Sequence, residues 1–266
     1  MNSPPQVLDG SCLKIQRADQ HIENLNRLVN SFCEANHNAF TIKDLETGEK
    51  GYAVAFRQTI SPEIPLLIGD AVHNLRSALD HLAWQLVIRN GKVPDRTQFP
   101  LYSDRKKFNG RPKSVTEGMS TTDIQQIESM QPYQAGYEAL GILSELNNFD
   151  KHRLLVGAAS HVGNAFFGIQ DVQKLLASKE MLASKGPIAF NFSVMLKQTV
   201  PLKDGDVLCK ISPEQFSSPF NIFEFKPKVT IFDPPVSGQD QIAVVTLLTI
   251  LSTAVKCVIK DFAQIW

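Results

Sequence analysis

The sequence has no surplus of either charge: 27 lysines and arginines stand against 27 aspartates and glutamates. No global field therefore draws the chain toward nucleic acid or an anionic membrane, and only a local basic stripe is left to serve such a partner. Cysteine is scarce. Cys12, Cys33, Cys209 and Cys257 are scattered without C-x-x-C spacing, which fits reduced, mostly buried thiols in a cytoplasmic protein and removes the basis for a zinc ribbon. There is no P-loop, no glycine-rich dinucleotide fingerprint, no G-x-S-x-G and no H-E-x-x-H. Nucleotide hydrolases, Rossmann enzymes and serine hydrolases lose their support with them, and no cofactor is implied. The opening residues, MNSPPQVLDGS, have neither the basic nor the apolar region of a secretory signal. The one long apolar run, Ile242 to Ile259, is interrupted by three threonines, Ser252 and Lys256. It predicts a buried C-terminal helix, not a membrane span.

What is present is enough apolar residue (43% of 266 positions) for a proper core, read here as a single domain over 1–266. Leu13, Ile22, Leu25, Leu28, Val29 and Phe32 have helical spacing, so a first helix is expected over about 11–36. Between 39 and 60 short β-rich runs flank Glu46-Thr47-Gly48-Glu49, the pattern of a hairpin. Ser61-Pro62-Glu63 then opens a helix that should run to Asn90-Gly91. The segment from Thr97 to Val115 reads as loop. Thr122-Asp123-Ile124-Gln125 fits a capping box for a short helix ending before Pro132, and a further helix should cover about Tyr137 to His152. From 154 to 235 the pattern is β-rich: Ile188 to Leu196 alternates, Val207–Ile211 and the Phe-rich stretch from Phe220 to Phe232 look like strands, and Lys203-Asp204-Gly205-Asp206 supplies a turn. A last helix is expected within 239–266. The fold class is therefore α+β: a bundle of about five helices, spanning 11–36, 62–153 and 239–266, packed with a mainly antiparallel sheet.

The reactive side chains concentrate on the second helix, in His73-Asn74-Leu75-Arg76-Ser77-Ala78-Leu79-Asp80-His81. At about 100° per residue, Leu75, Ala78, Leu79, Leu82 and Leu86 fall together and face the core. Asp70, His73, Asn74, Ser77, Asp80, His81 and Gln85 take the opposite half, with Arg76 at its edge and Trp84 at its middle. An aromatic there predicts a covered polar seam, closed by another element or a partner chain. A second cluster, with Glu145, Asn148, Asp150 and His152, ends the Tyr137–His152 helix, and Glu145, Asn148 and His152 share one face. If the two helices pack together, the clusters form one polar site.

Arg76-Ser77-Ala78-Leu79-Asp80-His81 resembles the R-x4-6-H signature of HEPN-domain ribonucleases, helical-bundle proteins of toxin–antitoxin and phage-defence systems. The flanking HNLRSALDHLAWQL and LNNFDKHRLL resemble segments of bacterial proteins of no assigned activity. The HEPN resemblance implies a metal-independent RNA endonuclease acting as a homodimer. Arg76 would stabilise charge in the transition state, and His81 would move protons, helped by His73, Asp80 or His152. Asn74, Ser77, Glu145, Asn148 and Asp150 would support them. The basic run Arg105, Lys106, Lys107, Arg111 and Lys113, with Phe108 among its charges, would hold the RNA backbone. Two features depart from the pattern. Residues five apart on a regular helix point about 140° from each other, and a minimal HEPN bundle has no place for a β-rich half.

Two other readings compete. In one, Arg76, Asp80 and His81 belong to a hydrogen-bonded network in a non-catalytic binding or scaffold protein, Asp80 pairing with a cation, and the polar face is structural or an oligomer interface. In the other, His73, His81, Asp80 and His152 hold a hydrolytic metal, although His73 and His81 stand two turns apart, too far for one ion on a straight helix.

Overall fold

The computed structural model describes residues 6–152, 157–168, 201–211, 222–233 and 242–266. The chain divides into two compact units: residues 1–28, 61–158 and 231–266, and residues 29–60 and 159–230. The first is helical. It holds the start of α1 (Asp9–Ala35), then α2 (Glu63–Arg89), α3 (Arg105–Asn109), α4 (Thr121–Ser129), α5 (Glu138–His152) and α6 (Val244–Ala263). The second holds the end of α1 and the strands β1 (Phe40–Asp44), β2 (Lys50–Val54) and β4 (Val207–Ile211), with most of β3 (Gly157–Gly168) and β5 (Ile222–Asp233). The fold is α+β, with a small antiparallel sheet.

In the helical unit α2 is the central element, touching both α5 and α6. Leu75, Ala78, Leu79, Leu82 and Leu86 are all fully buried, as their spacing requires. Each leucine contributes about 1.5–3 kcal/mol by leaving water. At the start of α2 Pro62 offers no side-chain acceptor, and the Glu63 amide donates to the Ser61 hydroxyl at 3.2 Å; Gly91 takes up a positive φ of 70° where the helix stops. The N-terminal turns of α1 lie close on α2, with the Ser11 hydroxyl donating to the Ala78 carbonyl at 2.9 Å. Further along, Asp19 of α1 accepts from Ser252 at 2.6 Å and pairs with Lys256 at 2.8 Å, tying α1 to α6. The inward face of α6 is Leu247, Leu248, Leu251, Val255, Val258 and Phe262, all buried. No described helix is long and apolar enough to cross a membrane.

Two expectations change here. The segment from Thr97 to Val115 is not simply loop: it contains α3 and a 3-10 turn at Lys113–Val115. Asp104 caps α3 by accepting the Lys107 amide at 2.8 Å, and five residues are too few for periodicity to reveal. The cap of α4 is Ser120, whose hydroxyl accepts the Asp123 amide at 3.1 Å, so the cap lies two residues before Thr122.

In the second unit β1 and β2 form the expected hairpin, paired from Phe40↔Val54 to Asp44↔Lys50, and Gly48 supplies its turn at φ 79°. β2 also pairs antiparallel with β4, with a bulge between Tyr52 and Ala53. Gly205, at φ 85°, turns the chain into β4. Tyr52, Val54, Leu202, Leu208 and Phe225 form the unit's core, and Phe40 and Phe56 pack against them. β3 pairs with β5. Asn36 follows the end of α1 and holds the segment after β2: its Nδ2 donates to the carbonyls of Phe32 and Gln58, and its Oδ1 accepts the amides of Arg57 and Gln58. The strand expected over Ile188–Leu196 lies outside the described residues.

Candidate functional site

Arg76 is the most constrained polar residue of α2. It is only 8% exposed, and its Nη2 donates both to Asp80 Oδ1, at 2.8 Å, and to the Phe99 carbonyl. The same Asp80 oxygen accepts the Phe99 amide at 2.9 Å. The pair thus satisfies both main-chain groups of Phe99, much as a neighbouring strand would. Phe99 itself is fully buried. Burial pulls the Arg76 guanidinium below its ordinary pKa, while Asp80, and to a lesser degree Tyr102, hold it up. Nη1 of Arg76 is buried and, among the described residues, has no hydrogen-bond partner.

Gln131 fixes the far end of this segment. It is fully buried, donates to the carbonyls of Pro100 and Ile127 at 2.7 and 3.1 Å, and accepts the Tyr102 amide at 3.0 Å. The segment Gln98–Tyr102 is therefore held at both ends, and a cleft of about 200 Å³ opens between it, α2 and α5. Arg76 and Asp80 line the cleft from α2; Ser144, Asn147 and Asn148 line it from α5. The expected meeting of the two polar clusters thus occurs in part. Asn148 joins Arg76 and Asp80, whereas Glu145 is exposed and does not line the cleft. Asp150 and His152 close α5, and their side chains lie outside the described residues.

His73 and His81 are elsewhere. Both are exposed, and the His81 ring rests on α1, where a Cβ built on Gly10 would stand 2.8 Å from its Nδ1. Arg76 and His81 face different neighbours, the divergence that the helical angle requires. Asn74 is half-buried and donates to the Asp70 carbonyl at 2.8 Å; Ser77 is half-buried too. Trp84 is 45% exposed. Among the described residues nothing closes over Trp84, and cover by a partner chain is the part of the expectation that stays open. His21 of α1 is buried, with its Nδ1 3.8 Å from the Asp70 carboxylate.

Arg105, Lys106, Lys107 and Lys113 of the basic run are exposed and Arg111 half-buried, and three of the five have partners within the chain. Arg105 pairs with Glu128 at 3.3 Å, and Lys107 with Asp104 at 3.6 Å. Arg111 bonds the Phe108 carbonyl and Thr116 and stacks on the Phe108 ring at 4.3 Å. Phe108 is buried against Tyr102, so it is no stacking platform for a base. Lys106 and Lys113 are exposed. Asp80 is committed to Phe99 while His81 lies on Gly10. Among the described residues no three His, Cys, Asp or Glu side chains gather around a point where a metal ion would sit. The thiols are also less uniform than expected: Cys33 is buried, Cys12 half-buried and Cys257 exposed.

Sequence reasoning missed Phe99, Tyr102 and Gln131. The available signal was the i, i+4 spacing of Arg76 and Asp80, which identifies a pair without saying what the pair holds. No protein-family model matches the chain, and neither the curated proteins nor the solved structures include a significant match to it.

Proposed function

We propose that this chain is a non-catalytic binding protein that assembles with a second copy through the outer face of α2. The observation behind this reading is one stripe: Leu66, Asp70, His73, Ser77, His81, Trp84 and Ile88. All are exposed except the half-buried Ser77. At 1.5 Å per residue the stripe runs for about 33 Å, and it holds no Lys, Arg or Glu, the residues that solvated helix faces favour. It is also its own complement. In an antiparallel pair centred on Ser77, Leu66 of one copy meets Ile88 of the other, and His73 meets His81. The small Ser77 sits at the crossing, where helices need to approach closely.

Sedimentation velocity across a concentration series tests this. The expected result is a reversible dimer that Trp84→Glu converts to monomer without loss of helical circular dichroism. A wild-type chain that stays monomeric at the highest concentrations would refute the reading.

A second reading, the metal-independent ribonuclease, is favoured by the same His73–His81 pairing. Two histidines brought together across the dimer supply the base and the acid that a single one cannot. Arg76 has no such freedom, being committed to Asp80 and Phe99. On this reading RNA is cut in EDTA, and both His81→Ala and Trp84→Glu abolish cutting. Cleavage that survives them removes it.

A further inference from the structure

The cleft beside Arg76 shares no residue with the outer stripe of α2, so what it binds does not depend on self-association. We propose that it is a binding site for a small uncharged molecule carrying a carbonyl group, such as an amide, lactam or ureide, with the Arg76 guanidinium as its principal donor.

The first support is an unmet donor. Arg76 forms part of the cleft wall, and its Nη1 is shielded from water and without a protein acceptor among the described residues. Nη2, by contrast, is fully used on Asp80 and Phe99. Buried donors left in this state are rare and costly, and a carbonyl that enters the cleft and draws Nη1 out to its wall supplies the missing acceptor.

Charge decides the class of ligand. Among the described residues Arg76 and Asp80 are the only ones of ionic type lining the cleft, and they neutralise each other. A phosphate or carboxylate would bring an anion into a site with no cation to spare, at the cost of desolvating it. A neutral carbonyl takes the same charge-assisted hydrogen bond without that cost. The other polar groups are of mixed character: the amides of Gln98 and Asn148 and the hydroxyls of Ser144 and Tyr102 each donate and accept. They suit a group that does both, as an amide or lactam does. The volume of about 200 Å³ is below the range of drug-sized sites, about 300–1,000 Å³, and it suits a single ring or a shorter chain.

The test titrates uracil and N-methylacetamide into the full chain by two-dimensional NMR, with acetate and inorganic phosphate as charged comparisons. Ser144→Leu is run beside the wild type. Ser144 is half-buried on α5 and takes no part in the Arg76–Asp80–Phe99 contacts, so leucine fills the cleft and leaves its anchor intact. At least one neutral probe should saturate with a Kd of about millimolar or tighter, the range open to so small a ligand. Ser144→Leu should weaken it by about tenfold or more. If Ser144→Leu fails to fold, Asn148→Ala, at an exposed position of the rim, takes its place with a loss of about threefold or more. The proposal is overturned if neither neutral probe saturates, if binding is unchanged in the folded variant, or if acetate or phosphate binds more tightly than both neutral probes.

Discussion

One oxygen of Asp80 serves two donors, the Nη2 of Arg76 at 2.8 Å and the main-chain amide of Phe99 at 2.9 Å. Arg76 completes the ring by donating to the Phe99 carbonyl. The two side chains therefore act as a unit, and the costs of removing them are not independent. Asp80→Ala leaves a buried guanidinium without a counter-charge and the Phe99 amide without an acceptor. The Asp80 side chain is 32% exposed, so the usual cost of breaking a buried pair is discounted to about 2–3 kcal/mol. Arg76→Met alone strands Asp80 in the same way. The double replacement, Arg76→Met with Asp80→Ala, should cost clearly less than the sum of the two singles. Urea unfolding of the four proteins gives the coupling energy; strict additivity would show that the ring is not a unit.

The loop that leads into α4 depends on one glycine. Gly118 has a φ of 84°, and a Cβ there would stand 2.7 Å from Cγ1 of Val87, a fully buried residue of α2. Its carbonyl accepts from Asn90 Nδ2 at 2.8 Å, which fastens the end of α2 to the loop. Gly91 offers an internal control: its φ is 70°, but nothing lies within 4 Å of a Cβ built there. Gly91→Ala should therefore cost only the left-handed backbone, about 1 kcal/mol, whereas Gly118→Ala adds overpacking for a total of about 2–4 kcal/mol. Equal losses in chemical denaturation would mean that Val87 yields freely.

These cases show what a sequence makes legible. The leucine ladder of α2 and the hairpin turn at Gly48 were readable because each is a local period or a backbone requirement. The Arg76–Asp80 pair was visible as i, i+4 spacing, but its target, Phe99, lies 19 residues beyond Asp80 and is set by the path of a loop. Ser120, Thr121 and Thr122 offer the same hydroxyl to the same helix, so residue type could not choose the cap. Trp84 marked a face that favours cover, but hydrophobic area says what a residue favours and not whether its own chain or another provides it. Phe108 misled: lying among five charged residues of the basic run, it looked exposed, but its ring is needed inside.

Acid should find a weak point at His21. Burial lowers its pKa from the ordinary 6.5; Asp70, 3.8 Å away, opposes the shift, and Arg17 adds to it. The sign follows from proton uptake. Between the folded and unfolded pKa values the unfolded chain binds the extra proton, so stability rises with pH in that window. The contribution of His21 is complete above the unfolded value of about 6.5, and it is lost as pH falls through the lower folded value. His21→Gln keeps a polar side chain of similar size but removes the titration. Its unfolding free energy, measured from pH 7.5 down to about 5, should decline less steeply than that of the wild type. Asp70→Asn should act in the other direction, because without the carboxylate the folded-state pKa drops further and the window widens toward acid. If both variants keep the wild-type slope, His21 does not control acid stability.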